Sequence, residues 1–176
     1  MRLFIAIDCN TEKEYFKHLQ AELPKEGVKL SLTNDFHITL KFLGEVMPHK
    51  VDTLKEALHS VGFSPFSFSL GNIGVFPSER SPRVVWVGVD PEEHAIQLQK
   101  HVEKALHGIF EKEKHFEPHI TLARVKHVAY PSQFMGKMKS ITVEKKSIVV
   151  DKFHLVKSTL TPKGAMHESI FSTGKQ

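Results

Sequence analysis

Histidine and threonine recur at one spacing in two places: His37-Ile38-Thr39-Leu40 and His119-Ile120-Thr121-Leu122 are the same tetrapeptide. Each copy lies in an apolar stretch that alternates as a strand does. In an extended chain successive side chains take opposite faces. Phe36, Ile38, Leu40 and Phe42 are therefore expected on one face, and His37, Thr39 and Lys41 on the other. The second copy sets His119 beside Thr121 in the same way. If the two strands meet, two imidazoles and two hydroxyls converge. Imidazole, with an ordinary pKa of about 6.5, populates both protonation states near neutral pH, so one ring can accept a proton while the other donates one. Threonine hydroxyls can donate to non-bridging phosphate oxygens without adding charge. The set suits acid-base cleavage or transfer of a phosphodiester. One such tetrapeptide would read as an ordinary half-buried strand; two identical copies point to a shared site.

The elements that must position these residues also repeat. A first strand is expected over Leu3 to Ile7, then a helix near Thr11, where Thr11 and Glu14 have capping-box spacing, then the first motif strand. Pro48 opens a helix with Val51, Leu54, Leu58 and Val61 on one stripe, and a strand from Phe66 to Leu70 completes the half. The order then replays. The strand Val84 to Val89 leads into a helix announced by Asp90, Pro91 and Glu93, with an apolar stripe of Ile96, Leu98, Val102, Ala105, Leu106 and Ile109. The second motif strand follows, then a short helix after Pro131 and a strand from Ile148 to Val156. First strand to motif histidine spans 34 residues in one half and 35 in the other; motif histidine to the following strand spans 29 in both. Gly71, Gly74, Pro77 and Pro82 mark 71–82 as a loop joining the halves.

This pattern predicts an internally duplicated, two-lobed α+β protein: two mainly antiparallel sheets, backed by helices, flanking a central cleft lined by His37, Thr39, His119 and Thr121. The 176 residues are expected to form one such domain, with repeats of about 1–75 and 83–157 and a C-terminal segment 158–176.

The histidine pair, the duplication and the segment Lys157-Ser158-Thr159-Leu160-Thr161-Pro162-Lys163-Gly164 together resemble the two-histidine phosphoesterases. Within that superfamily the chain is most similar to the RNA 2′,3′-cyclic phosphodiesterases first named 2′-5′ RNA ligases. Phe4 to Asp8, Phe36 to Gly44 and Gly74-Val75-Phe76-Pro77 also carry the resemblance, which covers essentially the full length. It implies hydrolysis of RNA 2′,3′-cyclic phosphate ends to 2′-phosphomonoesters, without a metal or other cofactor. His37 would give a proton to the departing 3′-oxygen and His119 would activate water. Thr39 and Thr121 would hold the phosphate, and Arg124 would bind phosphate or the charge growing in the transition state. Strict alternation sets Arg124 opposite His119, so its role requires a bulge or a strand end; Lys41 needs no such help. Phe4, Phe76 and Phe153 are candidates for stacking a terminal base.

Other chemistries have less support. His115 and His119 are four apart, but Pro118 breaks the helix that would align them as metal ligands. No phosphate-binding glycine loop or serine-nucleophile elbow occurs. Cys9, the single cysteine, rules out an internal disulfide, and Asp8 beside it disfavours the thiolate. The apolar run Leu3 to Ile7 ends at Asp8, too short for a signal core or a membrane span, so a cytoplasmic protein with no membrane association is expected. The net charge of +4 fits a polyanionic partner, with the basic residues scattered rather than clustered. No obligate protein partner is implied. Two alternatives to hydrolysis stay open: reversible 2′-5′ ligation, in which an RNA 5′-hydroxyl replaces water, and a noncatalytic module that holds an RNA terminus.

Overall fold

The structure, a computed structural model, describes residues 1–162 and 164–174. The chain runs β1 (Arg2–Asp8), α1 (Lys13–Glu22), β2 (Val28–Leu32), β3 (His37–Glu45), α2 (Val51–His59), β4 (Phe66–Ser78) and β5 (Ser81–Asp90). It continues with α3 (Glu93–Ala105), β6 (His119–Val128), α4 (Pro131–Lys139), β7 (Ser147–Val150), β8 (Lys152–Thr161) and β9 (Gly164–Gly174). Among the described residues no helix is long and apolar enough to cross a membrane.

The strands order as β7-β4-β5-β6-β3-β1-β8-β9, with β2 added on β6, and the named pairs are antiparallel. Between β3 and β6 the ladder is reduced to one pair, Ile38 with Ile120. Two antiparallel sheets thus meet at a single seam, and the seam is the repeated tetrapeptide. The order is palindromic about it: β3 and β6 at the centre, then β1 and β5, then β8 and β4.

That palindrome contains a crossover that periodicity does not show. β4 closes the first half of the sequence but pairs with β5 of the second lobe, and β8 closes the second half but pairs with β1 of the first. The expected strand from Ile148 to Val156 is accordingly two. β7 adds to β4, and after Asp151 the chain enters the other lobe as β8. Asp151 and Lys152 are exposed in succession, which breaks the in-out alternation where the chain changes sheets.

The expected joining loop 71–82 is also strand. β4 continues through Gly71 and Gly74 to Ser78, and a two-residue turn at Glu79 and Arg80 returns it as β5. These glycines mark close approach rather than a break. A Cβ on Gly74 would lie 2.4 Å from carbons of the Trp86 indole, and one on Gly71 would lie 3.3 Å from the Gly88 backbone. The capping box at Thr11 does not form. Instead the Asp8 carboxylate accepts from the Asn10 backbone N–H (2.9 Å) and the Asn10 amide (2.6 Å), and a short 3₁₀ turn over Asn10–Glu12 leads into α1.

The helices cover one face of each sheet with the residues that helical spacing nominates: Phe16 and Leu19 of α1, Leu54 and Leu58 of α2, Leu98 and Val102 of α3, Phe134 and Met138 of α4. They pack on Ile5, Ile7, Ile38, Val85, Val87, Ile120 and Leu155 in one continuous core spanning both lobes. Truncating a buried leucine such as Leu98 to alanine costs about 2–5 kcal/mol. Because Ile38 and Ile120 are fully buried, their sequence neighbours His37, Thr39, His119 and Thr121 must face away from the helices.

Candidate active site

One pair fixes the register at the seam. Continuing it on either side of Ile38 and Ile120 sets His37 level with Thr121, and Thr39 level with His119. The four residues singled out in the sequence thus share one face. Among the described residues no protein hydrogen bond engages the Thr39 or Thr121 hydroxyl, which leaves both free for a ligand.

Just beyond the histidines both motif strands carry the same irregularity. Ala6 and Ile5 of β1 oppose Thr39 and Lys41, so Leu40 is the extra residue of a bulge; Trp86 and Val85 of β5 oppose Thr121 and Ala123, so Leu122 is. In each strand two consecutive residues are then buried, Leu40 with Lys41 and Leu122 with Ala123, and alternation resumes with its phase inverted. The bulge at Leu122 brings Arg124, exposed, onto the face of His119. Lys41 is carried off the site. Its Nζ donates to Glu103 Oε1 at 2.8 Å and to the Glu111 carbonyl at 2.6 Å, with both charged side chains buried. Phe42, expected in the core, is instead 66% exposed on the cleft face, at the place that Arg124 takes in the other lobe.

The two histidines are held by different groups. His37 Nδ1 lies 3.1 Å from Asp35 Oδ2, and Asp35 is itself fixed by His167 Nδ1 at 2.6 Å on Oδ2 and by the Asn10 amide at 2.9 Å on Oδ1. Burial alone would raise the Asp35 pKa, but hydrogen bonds from His167, His37 and Asn10 outweigh it and hold the carboxyl well below the usual range, ionised. His119 Nδ1 donates to the Glu117 carbonyl at 2.7 Å. That bond places the proton of a neutral His119 on Nδ1 and leaves Nε2 as an acceptor. Burial is the largest influence on this ring and lowers its pKa; the Glu117 carbonyl and carboxylate oppose it, and charge on His37 adds to it. Phe76 lies edge-on to His119 at 4.9 Å, with Trp86 at 6.1 Å, forming the apolar wall responsible.

A cavity of about 150 Å³ adjoins His37 rather than the seam as a whole, bounded by Phe4, Ala6, Asn10, Asp35, His154 and His167. Of the three phenylalanines proposed for stacking, Phe4 borders this cavity and Phe76 walls His119, whereas Phe153 is fully buried in the core. Cys9 is inert: burial first, then the charge of Asp8, pushes its thiol far up.

Asp35, Asn10 and His167 were not found from the sequence. Asp35 had a usable signal, because an acidic residue two positions before the motif histidine recurs as Glu117. His167 had none. It lies on β9, three strands from β3, a distance of ~14 Å in a flat sheet. Its ring centroid is nevertheless 5.3 Å from that of His37, so the sheet must curl to bring them together.

A curled, duplicated α+β fold that presents two His-x-Thr strands at a common seam defines a two-histidine phosphoesterase. The chain belongs to the family described as LigT-like phosphoesterases, whose model matches it twice in tandem, over residues 7–86 and 87–167. It is 37% identical to an RNA 2′,3′-cyclic phosphodiesterase of Archaeoglobus fulgidus, across 97% of this chain and 98% of that one. To an RNA 2′,3′-cyclic phosphodiesterase of Thermotoga maritima it is 36% identical, across 97% and 94%. Among solved structures it resembles TT0787 of Thermus thermophilus (TM-score 0.80, 27% identity, 99% and 97% covered). It also resembles E. coli LigT complexed with 3′-AMP (TM-score 0.76, 28% identity, 99% and 97% covered).

Proposed function

We propose that this protein hydrolyses RNA 2′,3′-cyclic phosphodiester ends to 2′-phosphomonoesters, with the two motif histidines as acid and base and no metal in the reaction. The names of its relatives supply the substrate class. The observation that carries the division of labour is the unequal support of the two rings. A carboxylate behind an imidazole favours the protonated, proton-donating form more than a carbonyl does, and burial against aromatic rings favours the neutral, accepting form. His37, backed by ionised Asp35, is the acid; His119, half-buried and backed by a carbonyl, is the base.

The cyclic phosphate sits over the Ile38–Ile120 pair, with Thr39 and Thr121 donating to its non-bridging oxygens. His119 Nε2 takes a proton from water as the water oxygen bonds to phosphorus. The bond from phosphorus to the 3′-oxygen breaks in line, and that oxygen takes the proton from His37 Nε2. The reaction ends with His37 neutral and His119 charged, and exchange with solvent restores both. Arg124 adds positive charge where the phosphoryl oxygens gain negative charge. Since the 3′-oxygen stays on the nucleoside, the terminal ribose lies on the His37 side, where the cavity is.

Digesting nucleoside 2′,3′-cyclic phosphates in excess chelator and reading the products by phosphorus NMR tests the reading. The 2′-phosphomonoester is expected. Dominant 3′-isomer would exchange the roles of the histidines, and retention of substrate without turnover would leave only a binding module.

A further inference from the structure

Asp35 and His37 flank Phe36 at the start of β3 and His167 comes from β9, more than 120 residues later, yet each places one donor atom within 4.8 Å of the other two. Among the described residues this is the only set of three histidine, cysteine or acidic side chains so arranged. The two Nδ1 atoms lie 3.1 and 2.6 Å from Asp35 Oδ2. Ligands around a tetrahedral ion with bonds of ~2.0 Å are themselves ~3.3 Å apart, so small shifts would open this cluster around an ion. Two imidazoles and a carboxylate make an N₂O set that suits zinc, with a fourth position for water.

The surroundings also fit. The Asn10 amide holds the second oxygen of Asp35 at 2.9 Å, the kind of outer hydrogen bond that orients a ligating carboxylate. The Phe4 ring packs 5.0 Å from both the His37 and the His167 centroids and provides an apolar wall. All three donors border the 150 Å³ cavity, which gives an ion access and leaves room for its water.

We propose that Asp35, His37 and His167 bind one zinc ion, and that zinc held there switches the enzyme off. Coordination uses the Nδ1 lone pair of each ring. The His167 proton moves to Nε2, and a protonated His37 releases its Nδ1 proton to solvent. His37 is then a neutral, metal-bound imidazole whose remaining Nε2–H is a far weaker acid than an imidazolium, so the departing 3′-oxygen goes unprotonated. Neither His119 nor the threonines need be touched. Zinc would thus do the opposite of what it does in a metallohydrolase. The inhibition rests on the acid role of His37 argued above; the binding does not.

The test titrates the full-length protein with zinc against a chromophoric chelator and follows hydrolysis of a nucleoside 2′,3′-cyclic phosphate in parallel. His167→Asn keeps an N–H toward Asp35 but removes the ligating nitrogen, and His167→Phe removes both, so one can stand in should the other fail to fold. Each protein without zinc is its own activity reference. One zinc per wild-type chain is expected, bound at least about tenfold more weakly by the variants, with the half-inhibiting concentration rising by the same factor. Cobalt(II) should give a tetrahedral visible spectrum with the wild type and not with His167→Phe. Equal zinc binding by wild type and variants would overturn the site, and zinc saturation without loss of turnover would overturn the switch. Should the wild type turn over no cyclic phosphate, the proposed function fails, while the cobalt spectrum still decides whether the site exists.

Discussion

Residues 35–42 and 117–124 are the same piece of backbone built twice, Asp-Phe-His-Ile-Thr-Leu-Lys-Phe and Glu-Pro-His-Ile-Thr-Leu-Ala-Arg, and they share even the bulge at the leucine. What differs is the flanks. Before the first histidine a short aspartate turns its carboxylate onto the ring; before the second a longer glutamate, restricted by Pro118, offers its backbone carbonyl instead. Beyond the bulge, the core position holds Lys41 in one copy and Ala123 in the other, and the cleft position holds Phe42 and Arg124. Duplication thus supplies two equivalent imidazoles, and four substitutions around them anchor one on a carboxylate and the other on a carbonyl, and place the exposed cation Arg124 on the side of His119.

The largest effects should come from the residues that are identical. His37→Ala and His119→Ala should each lower kcat/KM by about 10²–10⁴-fold, and the double variant by little more than either, because acid and base act in one step. A folded single variant with near-normal turnover would remove that histidine from the mechanism.

The flanking acids should then separate the two copies. Asp35→Asn should cost on the order of 10²-fold, less than the roughly 10⁴-fold of a fully buried triad aspartate, because the Asp35 side chain is 38% exposed. Glu117→Gln should leave kcat nearly unchanged, as the carbonyl remains. The base is needed neutral and His119 is depressed, so the low-pH limb should lie below the ordinary imidazole pKa of about 6.5. Losing the Glu117 charge, which raises this ring, should move that limb slightly further down. Equal losses in the two variants would show that the difference in anchoring is not used.

This asymmetry explains how much could be read without coordinates. The motif, its two copies, the helices and the α+β class follow from period and spacing, which are local properties. Arg124 was legible only conditionally, because a bulge is a relation between two strands: Leu40 counts as extra only against Ala6 and Ile5, and Leu122 only against Trp86 and Val85. Strict alternation puts Lys41 and Phe42 on the wrong faces for the same reason. Gly71 and Gly74 read as loop because nothing in the sequence tells that Trp86 lies over Gly74. His167 depends on sheet curl, a property of the whole lobe.

The cleft positions after the bulge should differ more modestly. Arg124→Ala is expected to lower kcat/KM by about tenfold, below the 10²–10³ of a buried oxyanion donor because the guanidinium is solvated, with Arg124→Lys recovering part of the loss. Phe42→Ala should cost less than Arg124→Ala. Equal losses from the two would show that charge on the base side has no special use.

The smallest effect on activity should come from the residue that alternation placed in the site and the bulge removed. Lys41 and Glu103 form a buried pair, their side chains 2% and 9% exposed, and Glu103 Oε1 also accepts from the Gln99 amide and the Glu113 backbone N–H. Removing one partner strands the other's charge in low dielectric, which costs about 3–5 kcal/mol where pairs are fully buried. Lys41→Met, which keeps most of the side-chain volume, should therefore lower the thermal midpoint clearly while leaving kcat and KM per folded molecule within about twofold of wild type. The second lobe makes this expectation stricter. Ala123 fills the equivalent position with no charge, and Thr121 and Arg124 still lie on the cleft face around it, so the strand delivers its cleft residues without a lysine there. A large rise in KM at full stability would mean that Lys41 reaches the phosphate after all, and that the bulge in β3 opens when substrate binds.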